Sequence, residues 1–192
     1  MPTLWDRETR TIVCNESALV MRMLDKAFDA FTDVRLDLRP DELVDEIDAL
    51  EEVIYEHVNN GVYRCGFAAT QEAYDEAIAA LFGTLDLLDE RLATRRYLFG
   101  DRITEADWRL FTTLARFDPV YVGHFKTNVR RIADYPNLGP YFRDLYQQPD
   151  VAETVRLDQI KTHYYTTHPQ LNPSRIIPAG PELDWDRPHG RS

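Results

Sequence analysis

Residues 98–117, LFGDRITEADWRLFTTLARF, decide the fold of this chain. Thr104 and Asp107 have the spacing of a capping box, in which the hydroxyl accepts from the amide of residue 107 and the carboxylate reaches back to the amide of residue 104. Ile103 and Trp108 stand at the two positions of the matching hydrophobic staple. The residues that follow leave little of the helix circumference polar, and such a helix is surrounded by others. The stretch predicts the central helix of an all-α domain.

Two long helices are predicted before this central helix. The first runs from Asp41 to about Asn59, where the run Asn59-Asn60-Gly61 is expected to end it. Thr70 is expected to cap the second, which runs to Leu92. We expect the two to pair antiparallel, with the central helix packed across them. Their apolar stripes are Leu43, Ile47, Leu50, Ile54 and Val58 in the first helix, and Tyr74, Ile78, Leu81, Leu85, Leu88 and Leu92 in the second.

The rest of the chain completes the domain outline. Past Pro119 the sequence predicts a shorter helical piece, then helices near 136–147 and 150–166. From residue 169 onward, repeated prolines predict an irregular tail. We therefore divide the chain into a first segment (1–28), a polar linker (29–40), a helical domain (41–168) and a proline-rich tail (169–192).

The first segment differs from the remainder. Two short β-prone runs, at residues 3–5 and 11–14, flank a polar stretch and predict a β-hairpin. Asn15 is expected to cap a short helix over residues 18–24. A hairpin is marginally stable alone, so this piece must pack against the helical domain or belong to a larger unit.

Composition limits the class of protein. The chain has 192 residues and a net charge of -11, with no basic face for phosphates, which argues against nucleic-acid binding. No apolar run is long enough to span a membrane and there is no signal peptide, so we expect a cytoplasmic protein. The 20 Asp and 13 Glu stand against 19 Arg and 3 Lys. This bias indicates either adaptation to a salt-rich cytosol or a genome that favours Arg over Lys.

Several motifs occur together in order and spacing. They are the loop 59–68 (NNGVYRCGFA), the Asp118–Tyr121 turn, the run 134–138 (DYPNL), the helix end 160–165 (IKTHYY), and the later Asn172-Pro173 and 178–181 (PAGP). The Tyr-Leu-Phe-Gly stretch and the capping box after it resemble the core helix of glutathione transferase C-terminal domains. The other motifs together resemble the xi-class glutathione transferases, the glutathionyl-hydroquinone reductases. The resemblance covers nearly the whole chain.

The resemblance implies a mainly α fold, with an all-helical glutathione transferase C-terminal domain preceded by a β-β-α remnant of a thioredoxin-like domain. It implies thiol-dependent reductive deglutathionylation of glutathionyl-hydroquinones by a homodimer without a bound cofactor. Three tyrosines of the family site fall on Tyr63, Tyr121 and Tyr164, with Tyr165 as the competitor for Tyr164. A phenol with a pKa near 10 is a neutral donor at pH 7 and can hold a hydroquinone oxygen.

The resemblance also implies a thiol-binding element formed by Pro2, Glu16 and Ser17. Glu16 can pair the γ-glutamyl ammonium, while Ser17 and the first helical amides can bind its carboxylate. The alternative is that Asn15-Glu16-Ser17 is simply the start of a helix. Because the element makes no use of glutathione's glycine, and because of the charge bias, we expect either glutathione or γ-glutamylcysteine as the cosubstrate.

The sulfur chemistry is where the sequence departs from the family. The family nucleophile is a Cys in a Cys-Pro-x-Ala context, and neither Cys14 nor Cys65 has that context. We interpret both as bystanders. His163 and His168 are five residues apart and do not form a metal-binding pattern, so no metal is assigned. Two functions stay open: the substrate-binding and dimerising part of a thiol-dependent reductase, or a stand-alone, non-catalytic helical interaction module.

Overall fold

The computed structural model describes residues 2–33 and 36–191. The chain is mainly α-helical with one small two-stranded sheet, and it forms two compact units, Met1–Asp45 and Glu46–Ser192. The mainly α prediction is confirmed. We describe the two units separately.

The first unit contains the predicted hairpin. Strands β1 (Leu4–Asp6) and β2 (Thr11–Cys14) pair antiparallel, and the Asp6 carboxylate accepts from the amides of Glu8 and Thr9 in the turn between them. A helix, α1, follows at Ser17–Lys26, and then come 3₁₀ turns at Asp29–Phe31 and Asp41–Leu43.

The predicted cap of α1 is wrong by one residue. Glu16, not Asn15, is the N-cap, because its backbone is still extended (φ -91°, ψ 115°). Its amide donates to the sulfur of Cys14 at 3.4 Å, which ties the helix entry to the end of β2. The N-cap side chain makes no capping hydrogen bond, so the first amides of α1 have no partner from this residue.

The second unit is built from helices. A 3₁₀ turn at Ile132–Asp134 precedes α7, and the first helix, α2, begins at Val44, just before the unit boundary. The helices are α2 (Val44–Ile54), α3 (Gly61–Gly66), α4 (Gln71–Leu92), α5 (Glu105–Arg116), α6 (Val122–His124), α7 (Leu138–Tyr146), α8 (Val151–Thr154) and α9 (Leu157–Thr167).

The capping box on α5 is confirmed and extends beyond the local motif. The carboxylate of Asp107 accepts from the amide of Thr104 at 2.7 Å and from its hydroxyl at 2.8 Å. Its other oxygen accepts from the amide of Leu98 and from the hydroxyl of Tyr141, each at 2.9 Å. Asp107 is fully buried, and burial raises its pKa against the opposing effect of these bonds. One carboxylate therefore joins α5, α7 and the loop before α5.

The predicted end of the first long helix at residues 59–61 corresponds to a single turn residue. After α2 the chain continues as a π-helical segment (Tyr55–Asn59), and α3 begins at Gly61 after Asn60, whose backbone stays in the αR region (φ -84°, ψ -29°). The side-chain amide of Asn59 donates to the carbonyl of Arg109 at 3.2 Å and to the hydroxyl of Thr113 at 2.5 Å. The side chain of Asn59 thus packs against α5, and the chain is helical on both sides of Asn60.

Two further boundaries differ from the prediction. The expected Asp118–Tyr121 turn is a π-helical segment (Phe117–Tyr121) that continues α5 into α6. Proline lacks an amide hydrogen, and the wider π turn tolerates Pro119 where a regular α-helix would lose a bond. The helix expected over 150–166 is broken into α8 and α9, because Val155 takes an extended conformation (φ -93°, ψ 91°).

The irregular tail contacts the helices through several residues, among them Trp185 and Arg191. The Trp185 ring lies 4.9 Å from the ring of Phe142 and 5.1 Å from that of Tyr146. The guanidinium of Arg191 donates to the carbonyls of Leu92 at 2.9 Å and Arg96 at 3.0 Å, just beyond the end of α4. A cation at a helix carboxyl end satisfies carbonyls that have no intrahelical partner.

Candidate functional site

The second unit brings the three predicted tyrosines together from three separate elements. Tyr63 lies on α3, Tyr121 ends the second π-helical segment, and Tyr164 lies on α9. The hydroxyl oxygen of Tyr164 is 2.5 Å from that of Tyr63 and 2.9 Å from that of Tyr121. We call these three residues the tyrosine cluster. π-helical turns are common at functional sites, and here one precedes α3 and another carries Tyr121.

The number of phenol hydrogens decides which hydroxyl of the cluster donates to which. Each phenol has one hydrogen to donate, and the two oxygen–oxygen contacts use two of the three hydrogens. Tyr121 and Tyr164 are 2% and 7% exposed, whereas Tyr63 is 38% exposed. The arrangement that leaves no buried hydrogen unused has Tyr121 donating to Tyr164 and Tyr164 donating to Tyr63. The free donor is then on Tyr63, which faces solvent.

The buried members of the cluster are neutral at physiological pH. Burial raises the pKa of Tyr164 to about 12 and raises the pKa of Tyr121 further above its ordinary value, since a phenolate is poorly solvated there. The chain of hydroxyls polarises in one direction, which strengthens the outward donor. The cluster can thus donate a hydrogen bond to an oxygen that gains negative charge.

Tyr165 does not join the cluster. Its hydroxyl donates to the carbonyls of Pro119 and Val120, at 3.4 and 3.5 Å. A Cβ at Gly123 would lie 3.3 Å from the same hydroxyl, so this side chain packs closely on the segment after Pro119. Tyr165 therefore fastens α9 to the second π-helical segment, and Tyr164 is the residue that meets the other two tyrosines.

An aromatic wall surrounds the cluster. The ring of Phe125 is 5.2 Å from those of Tyr63 and Tyr121, and the half-exposed Phe67 lies 5.4 Å from Phe125. A Cβ on Gly66 would approach the Phe125 ring to 2.3 Å, so only glycine permits this contact. The surroundings suit a flat aromatic ligand.

Two histidines beside the cluster were missed by the sequence reasoning. Nε2 of His124 is 3.1 Å from Nδ1 of His168, and burial lowers the pKa of both rings. His124 comes three residues after Tyr121 and His168 four residues after Tyr164. That spacing is the signal that could have found them, once the tyrosines were placed.

The two cysteines differ in environment. Cys65 is buried, and burial raises the pKa of its thiol to about 11. Cys14 is half-buried near the start of α1, where it contacts the backbone of Glu16. A nucleophilic cysteine needs access and a stabilised thiolate, and Cys65 has neither.

The predicted thiol-binding residues lie in the first unit. Glu16 and Ser17 are exposed at the start of α1, and Pro2 is exposed ahead of β1. The Met1–Pro2 peptide bond lies outside the described residues.

An acidic group lies apart from the tyrosines. Carboxylates of Asp48, Glu51 and Glu105 lie within 4.8 Å of one another, and it is the one cluster of three possible metal ligands found in residues 2–33 and 36–191. Arg109 forms an ion pair with Glu51.

The chain was compared with proteins of known family and structure. Residues 71–144 match the glutathione S-transferase C-terminal domain. The glutathionyl-hydroquinone reductase YqjG of Escherichia coli (strain K12) is 53% identical over 191 residues, which cover 100% of this chain and 58% of that protein. The glutathionyl-hydroquinone reductase PcpF of Sphingobium chlorophenolicum is 52% identical over 181 residues, 94% of this chain and 58% of that protein.

Solved structures of YqjG and of a xi-class enzyme are similar to this chain. A xi-class glutathione transferase from Natrialba magadii superposes with a TM-score of 0.97 at 55% identity, covering 100% of this chain and 58% of that one. The resemblance to the xi-class glutathione transferases is confirmed. The glutathione-bound structure of YqjG from E. coli K-12 superposes with a TM-score of 0.98 at 53% identity, covering 100% of this chain and 62% of that one. This chain thus spans about three fifths of the length of its xi-class relatives. Among the residues described, no helix has both the length and the apolar character needed to cross a bilayer.

Proposed function

We propose that this chain is the hydroquinone-binding and dimerising part of a xi-class glutathionyl-hydroquinone reductase, acting in the cytoplasm. In this proposal residues 1–28 are the end of a thioredoxin-like domain, 29–40 a linker, 41–168 the helical domain and 169–192 a tail. The observation that supports it most is the contact of the three tyrosine hydroxyls, and hydrogen counting assigns the free donor of this cluster to the partly exposed Tyr63.

The proposed reaction balances as a thiol–disulfide exchange preceded by cleavage of a carbon–sulfur bond. A cysteine thiolate from outside these 192 residues attacks the sulfur of the glutathionyl-hydroquinone and forms a mixed disulfide. The electron pair of the broken bond passes to the ring carbon, which takes a proton to give the hydroquinone. A second thiol then resolves the mixed disulfide and releases the oxidised thiol.

The tyrosine cluster acts on the oxygen of the ring in this scheme. The outward donor of Tyr63 binds the hydroquinone oxygen, and negative charge that develops on the ring as the bond breaks is stabilised there. Tyr164 and Tyr121 supply the hydrogen bonds that orient and polarise Tyr63. A preorganised donor of this kind is worth about 2.7–4 kcal/mol of transition-state stabilisation.

The thiol cosubstrate is proposed to bind at the start of α1. Glu16 pairs the γ-glutamyl ammonium, and Ser17 with the exposed first amides binds the carboxylate, while Pro2 lines the cysteinyl part. Glutathione and γ-glutamylcysteine share this end, so we propose that either serves. The net charge of -11 supports the absence of nucleic acid from its partners.

A chimera tests the proposed function. The segment of E. coli YqjG that this chain does not cover is joined to residues 1–192, and turnover of a glutathionyl-hydroquinone is followed with glutathione as reductant. We expect turnover in the chimera that is unchanged in Cys14→Ser and Cys65→Ser, and none from the 192 residues alone.

The alternative of a non-catalytic module makes the opposite prediction. A folded chimera that binds glutathione but does not turn over the substrate would favour that alternative. Turnover by the 192 residues alone that disappears in Cys65→Ser would instead make Cys65 the nucleophile, against its raised pKa and burial.

A further inference from the structure

The His124–His168 pair links the same two segments that the tyrosine cluster links. His124 ends α6, three residues after Tyr121, and His168 is the residue that follows α9, one turn after Tyr164. The Tyr121–Tyr164 hydroxyl contact of 2.9 Å and the histidine nitrogen contact of 3.1 Å are thus two parallel connections. The backbone reinforces the first segment, since the amides of Phe125 and Thr127 both donate to the carbonyl of Tyr121 at 3.1 Å.

The contact between the histidines depends on how many protons the pair holds. With two neutral rings, one donates its N–H and the other accepts. With one proton added, an imidazolium still donates to a neutral ring. With two added, both facing nitrogens carry hydrogens and no acceptor remains, so the bond is lost. The connection is therefore stable at neutral pH and is broken by acid.

The surroundings disfavour the charged forms. His124 is buried, its ring is 4.7 Å from that of Tyr165, and Lys126 on its own segment adds positive charge. His168 is flanked by Phe67 after α3 at 5.3 Å, Phe125 at 6.0 Å, and Tyr164 and His163 of α9 at 5.8 and 6.3 Å. Desolvation opposes protonation of both rings, as do His168 and Lys126 for His124 and His163 for His168. A backbone hydrogen bond with Tyr164 acts the other way on the pKa of His168, and no carboxylate is among the groups that perturb either ring.

We propose that His124 and His168 are positioning residues, whose hydrogen bond holds Tyr121 and Tyr164 at bonding distance and releases them when both rings are protonated. Neither ring bonds a tyrosine hydroxyl among the contacts described, so the pair acts through the helix ends. Its effect on catalysis rests on the proposed function. The link between the pair and the tyrosines does not, and is tested without turnover.

The test uses NMR of the 192-residue chain with ¹³C at the Cζ atoms of tyrosine. Signals of Tyr121 and Tyr164 are followed from pH 8 to pH 4, a range in which these phenols do not ionise. We expect both signals to shift together as the second proton binds, at a midpoint well below pH 6.5, the ordinary pKa of histidine. Burial lowers the pKa of both rings, and the first proton repels the second.

A matched pair of replacements isolates the link. In His124→Gln/His168→Asn the side-chain amides stand where Nε2 and Nδ1 stood, so a hydrogen bond can form that protons do not break. We expect the tyrosine signals of this variant to stay constant with pH. His163→Gln removes an exposed histidine of the same helix. This variant should keep the response, with its midpoint at higher pH, because His163 opposes protonation of His168.

Three outcomes would overturn the proposal. In the first, the tyrosine signals of the wild type do not change with pH. In the second, they change equally in His124→Gln/His168→Asn. In the third, the response is lost in His163→Gln. Should the amide pair not fold, ¹⁵N spectra of the wild-type imidazoles decide: fixed tautomers support the pair, and free tautomer averaging in both rings contradicts it. In the chimera, kcat should fall between pH 8 and pH 4 by a factor about tenfold larger for the wild type than for the amide pair. An NMR response without this kinetic difference would count against the proposed function and leave the link intact.

Discussion

The two units differ in the exposure of their large apolar side chains. In the first unit Trp5, Ile12 and Phe31 are 51%, 58% and 85% exposed. In the second unit Ile47 and Leu81 are completely buried, with most of the apolar stripe predicted for their helices. Both units have the periodicity that their elements require. The periodicity of apolar residues predicts a helix or a strand. A hydrophobic core forms only where a second helix or sheet packs against the apolar face of that element.

The first prediction compares the start of α5, which has a buried capping box, with the start of α1, whose N-cap side chain makes no hydrogen bond. Asp107→Ala removes the acceptor for the amides of Leu98 and Thr104 and for the hydroxyl of Tyr141. We expect it to lower the free energy of unfolding by about 3 kcal/mol, because buried donors are left unsatisfied. Glu16→Ala should change it by less than about 0.5 kcal/mol. Urea denaturation followed by circular dichroism measures both, and equal losses would contradict the comparison.

The second prediction compares two glycines of the helical unit, one packed against an aromatic ring and one next to open space. Gly66→Ala places a Cβ against the Phe125 ring and should cost about 1–3 kcal/mol. Gly83 lies in α4 with no atom within 4 Å of an added Cβ, so Gly83→Ala should stabilise by about 0.5–1 kcal/mol. Thermal unfolding of the two variants should therefore shift in opposite directions. A shift of the same sign in both would mean that the aromatic wall is not packed as described.

The third prediction concerns acid and affects only the second unit, because all five histidines lie at residue 57 or later. The folded forms of His124 and His168 have lowered pKa values, so the folded state binds fewer protons than the unfolded state below pH 6.5. The free energy of unfolding should then decrease as pH falls through 6.5 and toward the lowered pKa values. Denaturation at pH 7.5 and 5.5 measures this, and His124→Gln/His168→Asn should lose less stability. An equal loss in both proteins would assign the acid sensitivity to other groups.

Local signals were predictable, and those that depend on distant residues were not. Thr104 and Asp107 are three residues apart, and their sequence alone predicted the cap on α5. Asn59 reads as a helix end, but its side chain bonds to Arg109 and Thr113, some fifty residues further along the chain. Only the folded structure shows that use.

In the candidate site, too, local motifs were predictable and contacts between distant residues were not. The family resemblance predicted Tyr63, Tyr121 and Tyr164, but spacing could not separate Tyr164 from its neighbour. Adjacent helical residues point about 100° apart, and the packing of α9 decides which one meets the cluster. His124 and His168 are 44 residues apart, and neither carries a motif by itself.

The direction assigned to the tyrosine cluster is tested most directly by kcat/KM of the chimera in four single variants. We expect Tyr63→Phe to reduce kcat/KM most, by about 10²-fold, because it removes the outward donor. Tyr164→Phe and then Tyr121→Phe should follow with smaller losses, since they act through Tyr63. Tyr165→Phe is the matched control and should leave kcat/KM within about twofold, because within residues 2–33 and 36–191 its hydroxyl bonds backbone carbonyls and no tyrosine of the cluster. A loss in Tyr165→Phe equal to that in Tyr63→Phe, or no loss in Tyr63→Phe, would contradict the account.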